Sequence, residues 1–234
     1  MPSRANAPPR TIRPSKPKRK PAELARAIFE RLRAENAEPK GELEHVNPYT
    51  LLVAVVLSAQ ATDAGVNKAT RRLFELADAP GKMLVLGEDR VRELIKTIGL
   101  YRNKAKNVIA LSERLIAEHA GAVPQNRDLL EQLPGVGRKT ANVVMNVAFG
   151  EPTMAVDTHV FRVARRLGLS KGETPLAVEV DLLRVTPAEF ALHAHHWLIL
   201  HGRYTCKARR PECWRCVLAD LCPFEPKSPP PVRS

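Results

Sequence analysis

A lysine in an unusual position follows a short hairpin that contains two glycines. The segment from Leu133 to Val144 reads Leu-Pro-Gly-Val-Gly-Arg-Lys-Thr-Ala-Asn-Val-Val, which places Lys139 in the first turn of a helix that begins near Arg138. The positive end of the helix dipole and any partial burial both disfavour a protonated ammonium there. Lys139 is therefore either a phosphate contact or an amine nucleophile able to form a Schiff base.

An aspartate that lies eighteen residues further along offers a carboxylate for such chemistry. Asp157 precedes Thr158-His159-Val160-Phe161, where a helix N-cap belongs, and an isolated aspartate there is more often a cap than a catalyst. Both roles are compatible. One helix and a return loop would bring Lys139 and Asp157 across a cleft, where a carboxylate beside an amine nucleophile could stabilise positive charge or move protons.

All four cysteines of the chain lie close together near its end and have the spacing C-x6-C-x2-C-x5-C. They are Cys206, Cys213, Cys216 and Cys222. In a reducing compartment a pair of disulfides is the weaker interpretation. Tetrahedral zinc and a [4Fe–4S] cluster both accept four thiolates, and the spacing alone hardly separates these two metal sites.

The glycine hairpin itself has the pattern of a helix-hairpin-helix over residues 127–149. Asn126 is expected to cap a short first helix that Pro134 stops, and Gly135 and Gly137 are free to take positive φ. Backbone amides and the positive end of the second helix would then bind one DNA phosphate without reading sequence. We expect four residues to form this contact: Gly135, Val136, Gly137 and Arg138. A tight hairpin that only joins two core helices is the structural alternative, and Lys139 favours the DNA contact.

Composition also favours an anionic partner. The net charge is +12 and the pI is about 9.9, but residues 1–20 hold seven Lys or Arg and no acid, which leaves about +5 on the remainder. This proline-rich basic tail is expected to be disordered. It is either a nuclear localisation signal or a segment that adds nonspecific affinity for DNA. Without an apolar signal segment or membrane span, we expect the chain to work in the cytoplasm, with the nucleoid.

The remaining chain has helical periodicity and no sustained alternation, so we predict an all-α fold. Leu24, Ile28, Phe29 and Leu32 recur at helical intervals after Pro21. A second helix begins at Asn47-Pro48 and is apolar on all sides, Asp63 is expected to cap a third, and the last long helix is expected near residues 188–204. Four histidines in and near that helix, His193, His195, His196 and His201, are expected to lie on its faces without binding a metal.

Several of these segments together resemble the endonuclease III branch of the helix-hairpin-helix DNA glycosylases, from about Ala22 to Cys222. The resemblance rests on the hairpin, on Leu57-Ser58-Ala59-Gln60-Ala61-Thr62-Asp63, on Thr97-Ile98-Gly99-Leu100-Tyr101, on Ala155-Val156-Asp157-Thr158-His159 and on the segment from His195 to Cys206. It implies a bifunctional DNA glycosylase and AP lyase that flips oxidised pyrimidines out of duplex DNA, forms a Schiff base and cuts 3′ to the abasic site by β-elimination.

The resemblance also implies roles for single residues. Lys139 would be the nucleophile and Asp157 the catalytic carboxylate, while Gln60 and Leu100 would fill the gap left by the flipped nucleotide. The four cysteines would hold one [4Fe–4S] cluster with a structural role. Independently of the resemblance, the loop between the first two cysteines carries three cations, namely Lys207, Arg209 and Arg210. They are either a solvated face or a phosphate contact, and we expect contact because a loop fixed by a metal site loses less entropy when it docks.

The implied architecture is two helical subdomains with the active-site cleft between them. A six-helix subdomain would span residues 41–150, and a cluster subdomain would combine residues 21–40 with residues 151–224, followed by a proline-rich tail at 225–234. We expect a monomer that binds double-stranded DNA carrying damaged pyrimidines or abasic sites. The alternatives are a monofunctional mismatch or adenine glycosylase of the same superfamily and a noncatalytic DNA-binding module with structural zinc. The presence of Lys139 argues against the first, and Lys139 together with Asp157 argues against the second.

Overall fold

The computed structural model describes residues 20–231, and every regular element in that range is a helix, as the sequence predicts. The eleven α-helices are α1 Pro21–Glu35, α2 Pro48–Leu57, α3 Asp63–Leu76, α4 Pro80–Leu86, α5 Glu88–Leu94, α6 Tyr101–His119, α7 Arg127–Glu131, α8 Arg138–Phe149, α9 Thr158–Arg166, α10 Pro175–Val185 and α11 Ala191–Tyr204. Short 3₁₀ turns at Ala188–Phe190 and Cys213–Arg215 complete them. Apart from Lys20, the predicted basic tail lies outside the described residues.

Side-chain caps set where many of the helices begin. Five residues accept a hydrogen bond from a backbone N–H of the first turn that follows them: Asn47, Thr62, Asn126, Asp157 and Thr174. The prediction for Asp63 was wrong by one position, because Thr62 is the cap and Asp63 is the first residue of α3. That shift leaves the Asp63 carboxylate available for other contacts.

Two apolar cores divide the helices into two groups. The first core lies among α2 to α8, and its centre is α2, whose residues Leu51 to Leu57 are all buried. The second core joins α1 to α9, α10 and α11. The chain therefore returns to its first helix after completing the middle group, and the site lies where the two groups meet.

The middle group contains seven helices, not the predicted six. Gly87 has φ +77 and divides the segment from Pro80 to Leu94 into α4 and α5. A left-handed glycine of this kind ends one helix without a steric penalty. The last long helix was likewise predicted too long, since its first three residues form the 3₁₀ turn Ala188–Phe190.

Aromatic contacts attach α1 to the carboxyl-terminal group. The rings of Phe29 and Phe190 stack with centroids 5.9 Å apart, and Trp197 lies 6.1 Å from each of them. The indole Nε1 of Trp197 also donates to the carbonyl of Asn36 at 2.7 Å. Trp197 is thus a core residue, whereas Trp214 is half exposed on the second 3₁₀ turn. Among the described residues no helix is both long and apolar enough to cross a membrane.

Candidate active site and cluster site

Lys139 lies in a cleft between the two groups of helices. It is the second residue of α8, and its side chain keeps contact with solvent although protein surrounds it. Burial lowers the pKa of the Lys139 amine, while the charges of Asp157 and Asp63 raise it and Arg203 lowers it, with a net downward shift. The free amine, which is the nucleophilic form, is therefore favoured relative to an ordinary lysine.

Asp157 caps α9 and also acts electrostatically on Lys139. Its Oδ1 accepts hydrogen bonds from the backbone N–H groups of His159 and Val160, each at 2.8 Å. Neither bond uses Oδ2. The cap thus fixes the carboxylate at the helix terminus and leaves Oδ2 outside the cap bonds, which is compatible with both predicted roles.

A cavity of 460 Å³ opens beside Lys139, and apolar and polar side chains contribute to its lining in similar number. Its polar wall includes Glu42, Asp63 and Arg203. The Arg203 guanidinium joins these carboxylates: Nη1 donates to Asp63 Oδ2 at 2.5 Å and also contacts Glu42. The sequence interpretation missed this trio, because no local pattern relates Arg203 to partners 140 and 161 positions away.

Three of the four histidines near the last helix are buried, which the sequence did not indicate. His195 and His196 line the cavity beside Lys139, and His201 faces the cysteines. Burial lowers the pKa of His195 to about 3, so the imidazole is neutral in the folded protein. His193 is partly exposed at the cavity edge and packs against the Trp197 ring at 5.6 Å.

The hairpin has one left-handed glycine, not two. Gly135 has φ +78, and a Cβ there would lie 2.8 Å from Asn107 Nδ2, so both the backbone conformation and the space require glycine. Gly137 instead has φ −103 and is the extended N-cap of α8, with nothing within 4 Å of an added Cβ. The prediction of positive φ at Gly137 was therefore wrong, because an N-cap residue takes extended backbone.

Two residues of the predicted phosphate contact are used inside the protein. Val136 is buried in the first core, and its N–H donates to the carbonyl of Leu133 at 3.0 Å. Arg138 forms a bidentate ion pair with Glu179 of α10. Its Nε donates to Glu179 Oε2 and its Nη2 donates to Glu179 Oε1, each at 2.8 Å. For these two residues the expectation needs correction: Val136 supports the hairpin, and the Arg138 guanidinium joins the two groups of helices.

Gln60 and Leu100 lie on exposed, adjacent loops. Both have left-handed backbones, with φ 55 and φ 59, which is uncommon for residues other than glycine. The Gln60 carbonyl oxygen lies 3.8 Å from where a Cβ on Gly99 would stand, so the two loops meet. Leu100 is 58% exposed. Strained backbone that holds side chains outward is typical of functional loops.

The four cysteines carry free thiols and line one small cavity with His201 and Leu167. These four cysteines, Cys206, Cys213, Cys216 and Cys222, therefore surround the same space. Among the described residues no three potential ligands are close enough to share a single metal ion. Four thiolates around a common cavity suit a cluster in which each sulfur binds its own iron.

Two side chains lie within hydrogen-bond distance of these sulfurs. His201 Nε2 lies 3.6 Å from Cys216 Sγ, and Arg166 Nη1 lies 3.5 Å from Cys206 Sγ. Arg166 also donates to the carbonyls of Lys207 and Ala208 at 2.8 and 2.9 Å. Hydrogen bonds of this kind stabilise thiolate charge and orient cluster ligands. Arg166, which the sequence did not single out, thereby ties the cysteine loop to α9.

The loop between the first two cysteines presents its cations unequally. Lys207 pairs with Glu212 at 2.6 Å. Arg209 and Arg210 are exposed, and no ion pair joins either of them to a carboxylate among residues 20–231. Of the three predicted contacts, these two arginines are therefore the ones available to phosphates.

Comparison with known proteins agrees with this arrangement. Residues 53–188 match the HhH-GPD superfamily of base excision DNA repair proteins, which defines the class, and residues 206–222 match the iron–sulfur binding domain of endonuclease III. Endonuclease III of Treponema pallidum is 62% identical over 196 residues, covering 84% of this chain and 93% of its own. The Escherichia coli K12 enzyme is 55% identical over 200 residues, covering 86% and 95%. The chain belongs to the endonuclease III family.

Solved structures give the same result. A trapped covalent intermediate of endonuclease III with DNA superposes with a TM-score of 0.82 at 47% identity, covering 86% of this chain and 95% of that one. A noncovalent endonuclease III–DNA complex matches with the same score at 46% identity, again covering 86% and 95%. As a member of this family the chain is a DNA-binding glycosylase and AP lyase of base excision repair. The family and its iron–sulfur binding domain, which spans all four cysteines, also show that the chain carries one [4Fe–4S] cluster.

Proposed function

We propose that the chain excises oxidised pyrimidines from duplex DNA and cuts the strand 3′ to the resulting abasic site, with Lys139 as the nucleophile and Asp157 as the catalytic carboxylate. The observation that carries the proposal is the pair itself. A lysine whose pKa is lowered by burial stands beside a 460 Å³ cavity and within the electrostatic influence of a fixed carboxylate. The relative trapped as a covalent complex with DNA supports an amine that attacks the substrate.

The chemistry begins with the free amine of Lys139. Its Nζ lone pair attacks C1′ of the deoxyribose, and the bond from C1′ to the base breaks, so that the base leaves with the electron pair and takes up a proton. Asp157 stabilises the positive charge that develops on the sugar. Nζ then loses a proton, and its lone pair expels the ring oxygen from C1′. The ring oxygen takes up that proton to become the C4′ hydroxyl, which leaves a protonated Schiff base between Nζ and C1′.

Elimination follows from this intermediate. Loss of a proton from C2′ supplies the electrons that expel the 3′ phosphate, which breaks the strand on that side. Hydrolysis of the imine by water then regenerates the Lys139 amine. Asp157, with Oδ2 outside the cap, is positioned to move protons in these steps.

Substrate recognition follows from the surrounding loops. Gln60 and Leu100 fill the space left by the flipped nucleotide, and the cavity next to Lys139 receives the base. The amides of Gly135 and Gly137 and the exposed loop arginines 209 and 210 contact phosphates. The bound cluster gives this loop a fixed shape. The chain acts as a monomer on damaged DNA in the cytoplasm, at the nucleoid.

The test is borohydride trapping with duplex DNA that contains thymine glycol. Wild-type protein is expected to give a covalent protein–DNA species, and Lys139→Gln is expected to give none. Lys106→Gln, which changes an exposed lysine of α6, is the matched control and should trap like the wild type. Asp157→Asn keeps a good cap and loses the charge, so it should fold normally but react slowly. Full lyase activity in Lys139→Gln would overturn the proposal.

A further inference from the structure

The active-site cavity holds a second carboxylate that the mechanism does not use. Asp63 is the first residue of α3, its side chain is only 15% exposed, and it lines the same cavity as Lys139. A buried carboxylate beside a lysine ordinarily forms an ion pair with it, and such a pair would keep the amine protonated.

Arg203 prevents that pairing by occupying the carboxylate. Its Nη1 donates to Asp63 Oδ2 at 2.5 Å and also contacts Glu42, while the Tyr204 hydroxyl holds the other oxygen of Glu42. Arg203 is on α11 and Asp63 is on α3, so this contact crosses from one group of helices to the other. The guanidinium is 24% exposed, and its interaction with the carboxylates is therefore only partly screened by water.

We propose that Arg203 is a positioning residue for the nucleophile: by holding Asp63, it keeps this second carboxylate from pairing with the Lys139 amine. The inference rests on the proposed function, since it concerns the same amine. It also assigns the two carboxylates different tasks. Asp157 is left to the sugar, and Asp63 is retained as the anchor that joins α3 to α11.

The electrostatics of the cavity agree with this division. Asp63 raises the pKa of Lys139 and Arg203 lowers it, so the two effects oppose each other at the amine. His195 is neutral because burial lowers its pKa to about 3, and it adds no charge at neutral pH. The charged and titratable groups around Lys139 are Lys40, Glu42, His45, Asp63, Asp157, His193, His195, His196 and Arg203. Removal of Arg203 alone would leave the Asp63 charge to act fully on Lys139.

The experiment measures the rate of borohydride trapping on abasic-site DNA as a function of pH, with cluster-loaded protein. Because only the free amine reacts, the rate falls on the acid side of the profile. We call this falling part of the profile the acid limb. In Arg203→Met the acid limb is expected to move to higher pH by about one unit, and at pH values below its midpoint the trapping rate should be up to about tenfold lower than that of the wild type. Asp63→Asn should move the limb to lower pH.

Two further variants separate this role from a structural one. Arg203→Met combined with Asp63→Asn removes both charges and should return the acid limb close to its wild-type position. Arg203→Lys keeps the positive charge and should also leave the acid limb at the wild-type position. Arg26→Met removes an exposed arginine that pairs with Glu189 on another face and should change nothing.

The possible outcomes are distinct. An unchanged acid limb in Arg203→Met would overturn the inference. The inference would also be overturned if Arg203→Met lost the same fraction of its rate at every pH and the double variant did not restore that rate. Trapping by Lys139→Gln under the same conditions would instead overturn the proposed function itself.

Discussion

Replacing Gly135 by alanine tests how the hairpin is built. The native φ of +78 costs an L-residue about 1–2 kcal/mol. The new Cβ would also lie 2.8 Å from Asn107 Nδ2, 3.1 Å from its Cβ and 3.2 Å from its Cγ. The amide end can rotate away, but the Cβ of Asn107 is fixed by α6, so we add about 1 kcal/mol for the crowding. Gly135→Ala is therefore expected to destabilise the protein by about 2–3 kcal/mol.

The assay is thermal unfolding followed by circular dichroism. For a chain of this size the loss corresponds to a fall in the unfolding midpoint of about 4–12 °C. Gly137→Ala is the matched control, since Gly137 has φ −103 and no neighbour within 4 Å of an added Cβ. As an alanine at an N-cap it should cost no more than about 1 kcal/mol. Asn107→Gly, which removes the crowded Cβ of Asn107, should couple with Gly135→Ala, so that the double variant loses about 1 kcal/mol less than the sum of the two. Equal midpoints for Gly135→Ala and Gly137→Ala would refute this reasoning.

Three other substitutions have defined outcomes. Arg138→Met leaves the buried Glu179 carboxylate unpaired and should lower the free energy of unfolding by about 2 kcal/mol. This is less than the roughly 3–5 kcal/mol expected for a fully buried pair, because Arg138 is partly exposed. Urea titration measures the loss, and an unchanged unfolding midpoint would contradict the prediction. His201→Leu removes a donor to Cys216 and should make the visible cluster absorption bleach roughly tenfold faster with a chelator; an equal rate would count against the hydrogen bond. Leu100→Ala should change the free energy of unfolding by no more than about 0.5 kcal/mol. It should slow base excision from fully paired duplex DNA by roughly tenfold, and it should slow excision of an already unpaired lesion less. Equal slowing on both substrates would argue against the wedge.

Local patterns predicted much of the fold. The helix start at Asn47-Pro48, the caps at Asn126 and Asp157 and the all-helical class follow from residues close in sequence, and each was confirmed. The wrong predictions also have local causes. A glycine such as Gly137 can take either sign of φ, and its neighbours in space decide which.

Contacts between distant residues could not be predicted in this way. The Arg203 contact to Asp63 spans 140 positions, and the Arg138 pair with Glu179 spans 41. Each joins surfaces that meet only after both groups of helices have folded. The sequence indicated that Arg138 was a cation near DNA, and only the fold shows that a buried carboxylate uses its guanidinium.

The roles given to single residues stay predictions, and the identity of the nucleophile is the central one. The most direct measurement is to digest the borohydride-trapped complex with thymine-glycol DNA and identify the modified residue by mass spectrometry. The account predicts the adduct on Lys139 Nζ and on no other amine. An adduct on a different lysine or on the amino terminus, with Lys139 unmodified, would contradict it.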